Sequence, residues 1–153
     1  MNTLTAIQSS AEPERVRWLG TEYVISLPSA ASGGLIGTFE GTVPPGDGPP
    51  LHVHHGEDEV IHVIDGAMEF WLDGRVSRRG PGESVFLPRD VPHTFRVISP
   101  TPSRSLAVIT PGGFEGFFPA VARAGLTPAD GQTLADLAGR FALEFLGPPP
   151  WTK

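Results

Sequence analysis

Short apolar segments separated by glycine and proline run through the middle of the chain. Between residues 21 and 110, stretches rich in Val, Ile, Leu and Phe alternate with clusters of Gly and Pro. Segments of this length and spacing are typical of the strands of a β-sandwich or barrel. The predicted strands cover residues 21–27, 35–43, 59–64, 67–72, 84–87, 93–98 and 105–110.

Turn residues indicate how these strands connect. Asp65-Gly66 follows one predicted strand, and Asp73-Gly74 follows the next. Asp-Gly suits the left-handed backbone that tight hairpin turns require. We therefore predict a hairpin at each pair and a mostly antiparallel sheet.

The hydrophobic period changes after Pro111-Gly112-Gly113. Residues 114–124 and 134–145 carry apolar side chains at helical spacing, whereas residues 1–15 are polar and show no sustained period. The prolines that follow Gly147 cannot continue a helix. We expect three regions: a flexible N-terminal arm (1–15), an all-β barrel (16–113), and two short C-terminal helices with a Pro-rich tail (114–153).

Composition and charge exclude several classes of function. The 153 residues suit a single domain. The formal charge of −6, with no dense cluster of Lys and Arg, argues against nucleic-acid binding. No apolar run approaches a membrane span, and the N-terminus lacks a signal-peptide pattern, so a cytoplasmic location without membrane contact is predicted. Because the chain has no cysteine, any metal must take nitrogen and oxygen ligands.

Histidines provide the main chemical signal. Four of the five lie between positions 52 and 62, beside an acidic run that ends at Glu59, and the fifth is His93. Alternate side chains of a strand share a face, so His52 and His54 point to the same side, as two imidazoles that bind one metal ion must. Glu59 can reach the same point if the chain turns at Gly56, and His93 can supply a third nitrogen.

Two motifs in this region resemble the signatures of the cupin superfamily. The first is Gly48, then His52-x-His54, four residues, Glu59, six residues and Gly66; the second is matched by Gly82, Pro88 and His93. Asp90 stands where the family has Gly, and Val97 stands where it has Asn. Fifteen residues, 67–81, separate the two signatures, which is typical of small bacterial members.

The resemblance implies a fold and a metal site. The expected fold is a double-stranded β-helix, the jelly-roll barrel of the cupins. His52, His54, Glu59 and His93 would bind one divalent transition metal, and two further positions would be left for water and substrate. Three imidazoles and one carboxylate suit Fe, Ni, Mn, Co, Cu or Zn, so the metal's identity stays open.

The remaining polar residues of the region receive a structural interpretation. By strand parity, His55 faces away from His52 and His54, and His62 faces away from Glu59. Glu57 and Asp58 are either solvated turn carboxylates or groups that orient a liganding imidazole, and we favour the solvated interpretation.

Apolar side chains around the site are candidates for a substrate pocket. Parity places Phe95 on the same face as His93, and Met68 and Phe70 share one face of their strand. Phe39 is a further candidate. Such a pocket would suit a planar aromatic or polyketide-like molecule, although an apolar barrel interior is needed for stability in any case.

Within the cupins, the segments 49–59, 80–82, 88–96 and 110–118 resemble the bacterial quercetin 2,3-dioxygenase-like group. The resemblance implies an oxidoreductase that cleaves a flavonol-like or other aromatic hydroxy-ketone with O₂, with Glu59 as ligand and general base. Two alternatives stay open: a non-redox cyclase or isomerase on a polyketide-like substrate, and a metal-containing protein that binds or senses a small molecule. Small cupins commonly dimerise, so a homodimer is expected.

Overall fold

Two antiparallel sheets face each other in the computed structural model, which describes residues 12–151. The six-stranded sheet has the order β1-β2-β3-β10-β5-β8, and the five-stranded sheet has the order β11-β4-β9-β6-β7. The strands are β1 (Glu14–Trp18), β2 (Thr21–Leu27), β3 (Gly37–Val43), β4 (Leu51–His54), β5 (Asp58–Asp65), β6 (Met68–Leu72), β7 (Arg75–Arg79), β8 (Ser84–Leu87), β9 (His93–Val97), β10 (Ser103–Thr110) and β11 (Leu143–Gly147). The helices are α1 (Phe117–Ala124) and α2 (Gly131–Gly139), and neither has the length and apolar character needed to cross a bilayer.

Alternation of buried and exposed residues builds the core. In β3, β5 and β10 every second side chain is buried, and these inward residues face the inner side of the other sheet. The most deeply buried core members include Val63, Met68, Phe70 and Ile109. The double-stranded β-helix with two short C-terminal helices, expected from the sequence, is confirmed.

The two Asp-Gly turns have different roles. Asp73 and Gly74, both at positive φ, join the paired strands β6 and β7, so the second predicted hairpin is present. The first prediction is wrong: Asp65-Gly66 leads from β5 in one sheet to β6 in the other. A Cβ on Gly66 would lie 2.8 Å from the Cα of Ser103, so this crossing needs glycine for close approach as well as for its φ of 77°.

The second C-terminal helix is shorter than predicted. It ends at Gly139, and after Ala142, at a φ of 54°, residues Leu143–Gly147 form β11 beside β4. Leu143 and Phe145 fit both periods, since they continue the helical spacing of the preceding residues and also alternate with exposed neighbours. Pairing with β4, which local periodicity does not reveal, decides in favour of a strand.

Two edge strands were also missed, because each has few apolar residues. β1 has only Val16 and Trp18, and β7 has only Val76. Both lie at the edge of their sheets, where one side of the backbone is unpaired and charged side chains are common. The predicted arm lies mostly outside the described residues, and its last two residues, Glu14 and Arg15, belong to β1.

A cross-strand charge cluster stabilises the outer face of the five-stranded sheet. Glu69 of β6 pairs in register with Arg78 of β7 and Arg96 of β9, and its carboxylate accepts hydrogen bonds from both guanidinium groups at 2.6–3.0 Å. The ring of Trp151 lies 4.4 Å from the Arg96 guanidinium carbon. The Glu69 side chain is only 6% exposed.

Replacement of Glu69 by Gln is expected to destabilise the fold by about 1 kcal/mol near neutral pH, allowing for the exposure of Arg78. Hydrogen bonds from Arg78, and then those from Arg96, hold the pKa of Glu69 below its usual range. The pKa of Glu69 is lower in the folded protein than in the unfolded chain, where it is about 4.3. The ionised carboxylate therefore stabilises the folded protein above that pH, and the stabilisation is lost as pH falls through the folded pKa.

Urea unfolding of wild type and Glu69→Gln should therefore give a difference that shrinks from pH 7 towards pH 3 or so. Glu22→Gln is the matched control, because Glu22 forms an exposed pair with Arg15 at 3.5 Å. Equal effects of the two substitutions would contradict the role given to Glu69.

Candidate metal centre

Three histidines meet inside the barrel. His52 and His54 lie on β4, and His93 begins β9, where it pairs directly with His52. Nitrogen atoms of the three rings, one from each, lie within 4.8 Å of one another, and all three residues are buried. Three buried imidazoles at this spacing can bind one metal ion.

Hydrogen bonds fix which nitrogen of two rings is available. The Nδ1 of His52 lies 2.9 Å from the carbonyl oxygen of Pro50, and the Nδ1 of His93 lies 3.1 Å from that of Val91. A carbonyl can only accept, so each Nδ1 carries the proton and each Nε2 keeps its lone pair. Backbone carbonyls commonly orient metal-binding imidazoles in this way.

Buried histidine nitrogens without hydrogen-bond partners indicate whether the cluster fits a metal ion. Neither nitrogen of His54 has a hydrogen-bond partner within residues 12–151, and the same holds for the Nε2 of His93. Buried polar atoms without partners are costly and rare in native proteins. Coordination to a metal would satisfy one nitrogen of His54 and the Nε2 of His93, so the residues present fit such an ion.

Glu59 comes to this cluster from the opposite sheet. It is the first inward residue of β5, is 5% exposed, and places its Oε2 3.8 Å from the Nε2 of His54. The turn at Gly56 that the sequence analysis required is present as a bend between β4 and β5. Glu59 therefore adds an oxygen donor beside the three imidazoles.

Burial governs the protonation of these groups. It lowers the pKa of His52 to about 3, and it lowers the pKa of His54 and of His93, so the rings are neutral and their lone pairs are free. Burial, followed by the nearby Glu57 carboxylate, raises the pKa of Glu59 to about 8. A bound cation would favour the ionised carboxylate and oppose that rise.

A cavity of about 230 Å³ leads away from the cluster. His52, His54 and Glu59 lie at one part of its wall, and most of the remaining wall is apolar. Of the four candidate pocket residues, Phe39 and Phe95 line the cavity. Met68 and Phe70 do not: they are buried in the core, at 0% and 1% exposure, so their assignment to the pocket is corrected.

Most aromatic residues of the cavity wall were not predicted from the sequence. The ring centroids of Phe114 and His54 are 4.2 Å apart, and those of the stacked rings of Tyr23 and Phe118 are 3.7 Å apart. The further aromatic residues of the wall are Trp18, Phe117 and Phe145. The run Phe114-Glu-Gly-Phe-Phe118 was the available signal, but only the packing of α1 against the barrel turns these rings inward.

His55 and His62 lie outside the cluster, as strand parity predicted. His55 is hydrogen-bonded to the carboxylates of Asp90 and Glu144 at 2.7 Å each, and His62 to the hydroxyl of Ser84 at 2.8 Å. His55 is exposed in the bend that follows β4, and His62 is half-buried on the outer face of β5. Their structural interpretation therefore agrees with their positions.

The two remaining carboxylates differ from the expectation. Glu57 is 8% exposed, so it is not a solvated turn residue, and burial, together with Glu115, raises its pKa to about 7. Asp58 accepts hydrogen bonds from the backbone and side chain of Arg89 at 2.9–3.2 Å. This contact ties the start of β5 to the loop before β9.

Asp90 accommodates the departure from the usual glycine. Its φ is 63°, a left-handed conformation that Asp tolerates better than most residues. Its amide also donates to the carbonyl of His54 at 2.8 Å, so the turn before His93 is fixed to the strand that carries the other two histidines.

Comparison with known proteins identifies this arrangement. The family described as Cupin domain matches residues 39–109, a range that contains Glu59 and all three clustered histidines. The chain belongs to the cupin superfamily. The resemblance seen in the two sequence motifs is thus confirmed, and the fold agrees with it.

Several known proteins are similar to the chain. A quercetin 2,3-dioxygenase of Bacillus subtilis (strain 168) is 32% identical over 75 residues, which are 49% of this chain and 22% of the relative. The polyketide cyclase RemF of Streptomyces resistomycificus is 31% identical with a TM-score of 0.52, covering 65% of this chain and 68% of that one. A predicted oxalate decarboxylase of Thermotoga maritima is 25% identical with a TM-score of 0.58, covering 66% and 93%. The chain thus spans about a fifth of the curated relative.

Replacement of a cluster histidine is expected to remove bound metal. His93→Ala and Glu59→Ala each delete a donor atom, and affinity should fall at least 10- to 100-fold, the loss typical of altering even a ligand's partner. Elemental mass spectrometry of the purified variants gives metal per chain. His62→Ala, on the outer face of β5, is the control and should retain wild-type content; stoichiometric metal in both site variants would disprove this ligand set.

Proposed function

We propose that this cupin is a metal-dependent enzyme that acts on a planar aromatic hydroxy-ketone. The first candidate is a dioxygenase that cleaves a flavonol-like substrate with O₂. The observation that carries the proposal is the position of Glu59, His52 and His54, which cluster with His93, at the wall of an otherwise mostly apolar cavity that several aromatic rings line. Aromatic walls suit a planar ring system, and the polar cluster suits its hydroxyl and carbonyl oxygens.

The residues of the cluster would have separate roles in this reaction. His52, His54 and His93 would hold one divalent transition metal with Glu59 as a further ligand. When bound, the metal would act as a Lewis acid on the substrate oxygens and support reaction with O₂. The carboxylate of Glu59 would accept the proton of the substrate hydroxyl, because a bound metal would make that hydroxyl more acidic.

The cavity wall contributes by excluding water. Phe114 lies against His54, and the rings of Phe117 and Phe118 lie beside Phe114. A charge that develops on a substrate oxygen would therefore interact with the cluster in a medium of low dielectric. The same rings would orient a flat substrate by offset or edge contacts.

A second candidate is a non-redox cyclase or isomerase acting on a polyketide-like substrate. The similarity to the polyketide cyclase RemF favours it, because that similarity extends over about two thirds of both chains, whereas the dioxygenase relative is matched over 22% of its length. The residue roles would be similar, but no O₂ would be consumed. A protein that binds or senses the same ligand without reaction is the third possibility.

Oxygen uptake with quercetin separates these candidates. If the dioxygenase proposal is correct, the metal-loaded protein consumes one O₂ per quercetin lost, and Glu59→Gln lowers kcat by about 10²-fold or more because the base is removed. Glu40→Gln, on a partly exposed position of β3, is the control. Product formation without O₂ would favour the cyclase, and release of unchanged ligand would favour a binding protein.

A homodimer and a cytoplasmic location remain predictions. Trp18 makes its contacts within the chain: its indole N–H donates to the carbonyl of Leu126 at 2.7 Å, and its ring contacts Phe117 edge-on. The mass in solution at micromolar concentration, measured by light scattering, is expected to be that of two chains. A single monomer mass would exclude the dimer.

A further inference from the structure

Two paired small residues, Gly41 and Ser105, leave a gap on the inner face of the six-stranded sheet. Gly41 of β3 pairs with Ser105 of β10 on one side and with Tyr23 of β2 on the other. All three residues line the cavity. The gap at Gly41 therefore belongs to the space that leads to the metal centre.

The backbone does not require glycine at position 41. Gly41 is not among the residues at positive φ. Among the described residues, a Cβ built on it meets one atom within 4 Å, the Cε1 of Tyr23 at 3.9 Å, which is an ordinary van der Waals contact. Glycine inside a strand weakens it and often marks close approach of a ligand. What glycine provides here is room in the cavity.

Strand geometry places this gap far from the metal centre. Ile109 of β10 pairs with Glu59, and Ser105 lies four residues away on the same strand. At about 3.4 Å per residue the two positions are separated by about 14 Å. A ligand that extends from the cluster to Gly41 must therefore contain more than one ring.

Ser105 gives the gap a polar group. It is 7% exposed and lies at the wall of the cavity. A serine hydroxyl can both accept a hydrogen bond from a ligand hydroxyl and donate one to it. The next inward residue along β10, Ala107, is also small and offers no competing polar atom.

We propose that Gly41 and Ser105 form a distal subsite that selects a multi-ring aromatic substrate carrying a hydroxyl at the end remote from the metal. Gly41 admits the remote ring, and Ser105 hydrogen-bonds its hydroxyl. This inference rests on the proposed function, because it assumes that the reacting hydroxy-ketone lies at the histidine cluster.

Calorimetric titration of the metal-loaded protein without O₂ tests the subsite with three probes. The compound 3-hydroxypyran-4-one presents the hydroxy-ketone alone, 3-hydroxyflavone adds the rings, and quercetin adds hydroxyls on those rings. Gly41→Val should weaken binding of both larger probes by about tenfold or more, because it fills the gap, and should leave the small probe unchanged. Ser105→Ala should weaken quercetin alone, by about tenfold.

Gly139→Ala is the matched control, since a Cβ there meets nothing within 4 Å and the residue ends α2 away from this cavity. Gly41→Val should unfold at or above the wild-type temperature, so weaker binding would not reflect a damaged fold. Unchanged affinity of the larger probes, or equal loss for all three, would overturn the subsite. Failure of wild type to bind the larger probes while it binds the small one would also overturn it. Failure to bind even the small probe would instead reject the proposed function, and the subsite with it.

Discussion

The structure depends on the burial of three imidazoles and a carboxylate in an apolar barrel. His52, His54, His93 and Glu59 are each less than a tenth exposed, and several of their polar atoms have no partner among the described residues. Desolvating such groups without compensation is unfavourable, so the barrel holds them at a cost in stability. A metal ion is the partner that their spacing and lone pairs fit.

Both sheets are needed to build the centre. The five-stranded sheet supplies the histidines through the pairing of β4 with β9, and the six-stranded sheet supplies Glu59 from β5. The contacts of Asp58 with Arg89 and of Asp90 with His54 hold the intervening loops. The geometry of the centre therefore depends on how the sheets face each other, and these loop contacts reinforce that arrangement.

The C-terminal segment turns a metal-binding barrel into a site with an aromatic cavity. α1 and the preceding turn bring Phe114, Phe117 and Phe118 to the cavity, and β11 adds Leu143 and Phe145 beside the strand of the histidines. These rings lie against apolar residues of the barrel, so one set of contacts serves both stability and the shape of the cavity. The proposed preference for flat, multi-ring molecules follows from this wall together with the gap at Gly41.

The sequence by itself determined the strand-rich fold and the histidine cluster, because both are encoded locally. Alternation along β5 separates Glu59 from His62, and two motifs of fixed spacing mark His52, His54 and His93. Only the tertiary structure decided that Leu143–Gly147 is a strand, that Asp65-Gly66 crosses between sheets, and that Glu57 is buried. It also separated Phe39 and Phe95, at the cavity, from Met68 and Phe70, in the core. The physical reason is the same in each case: periodicity assigns a side chain to a face, but which element packs against that face depends on residues far away in the chain.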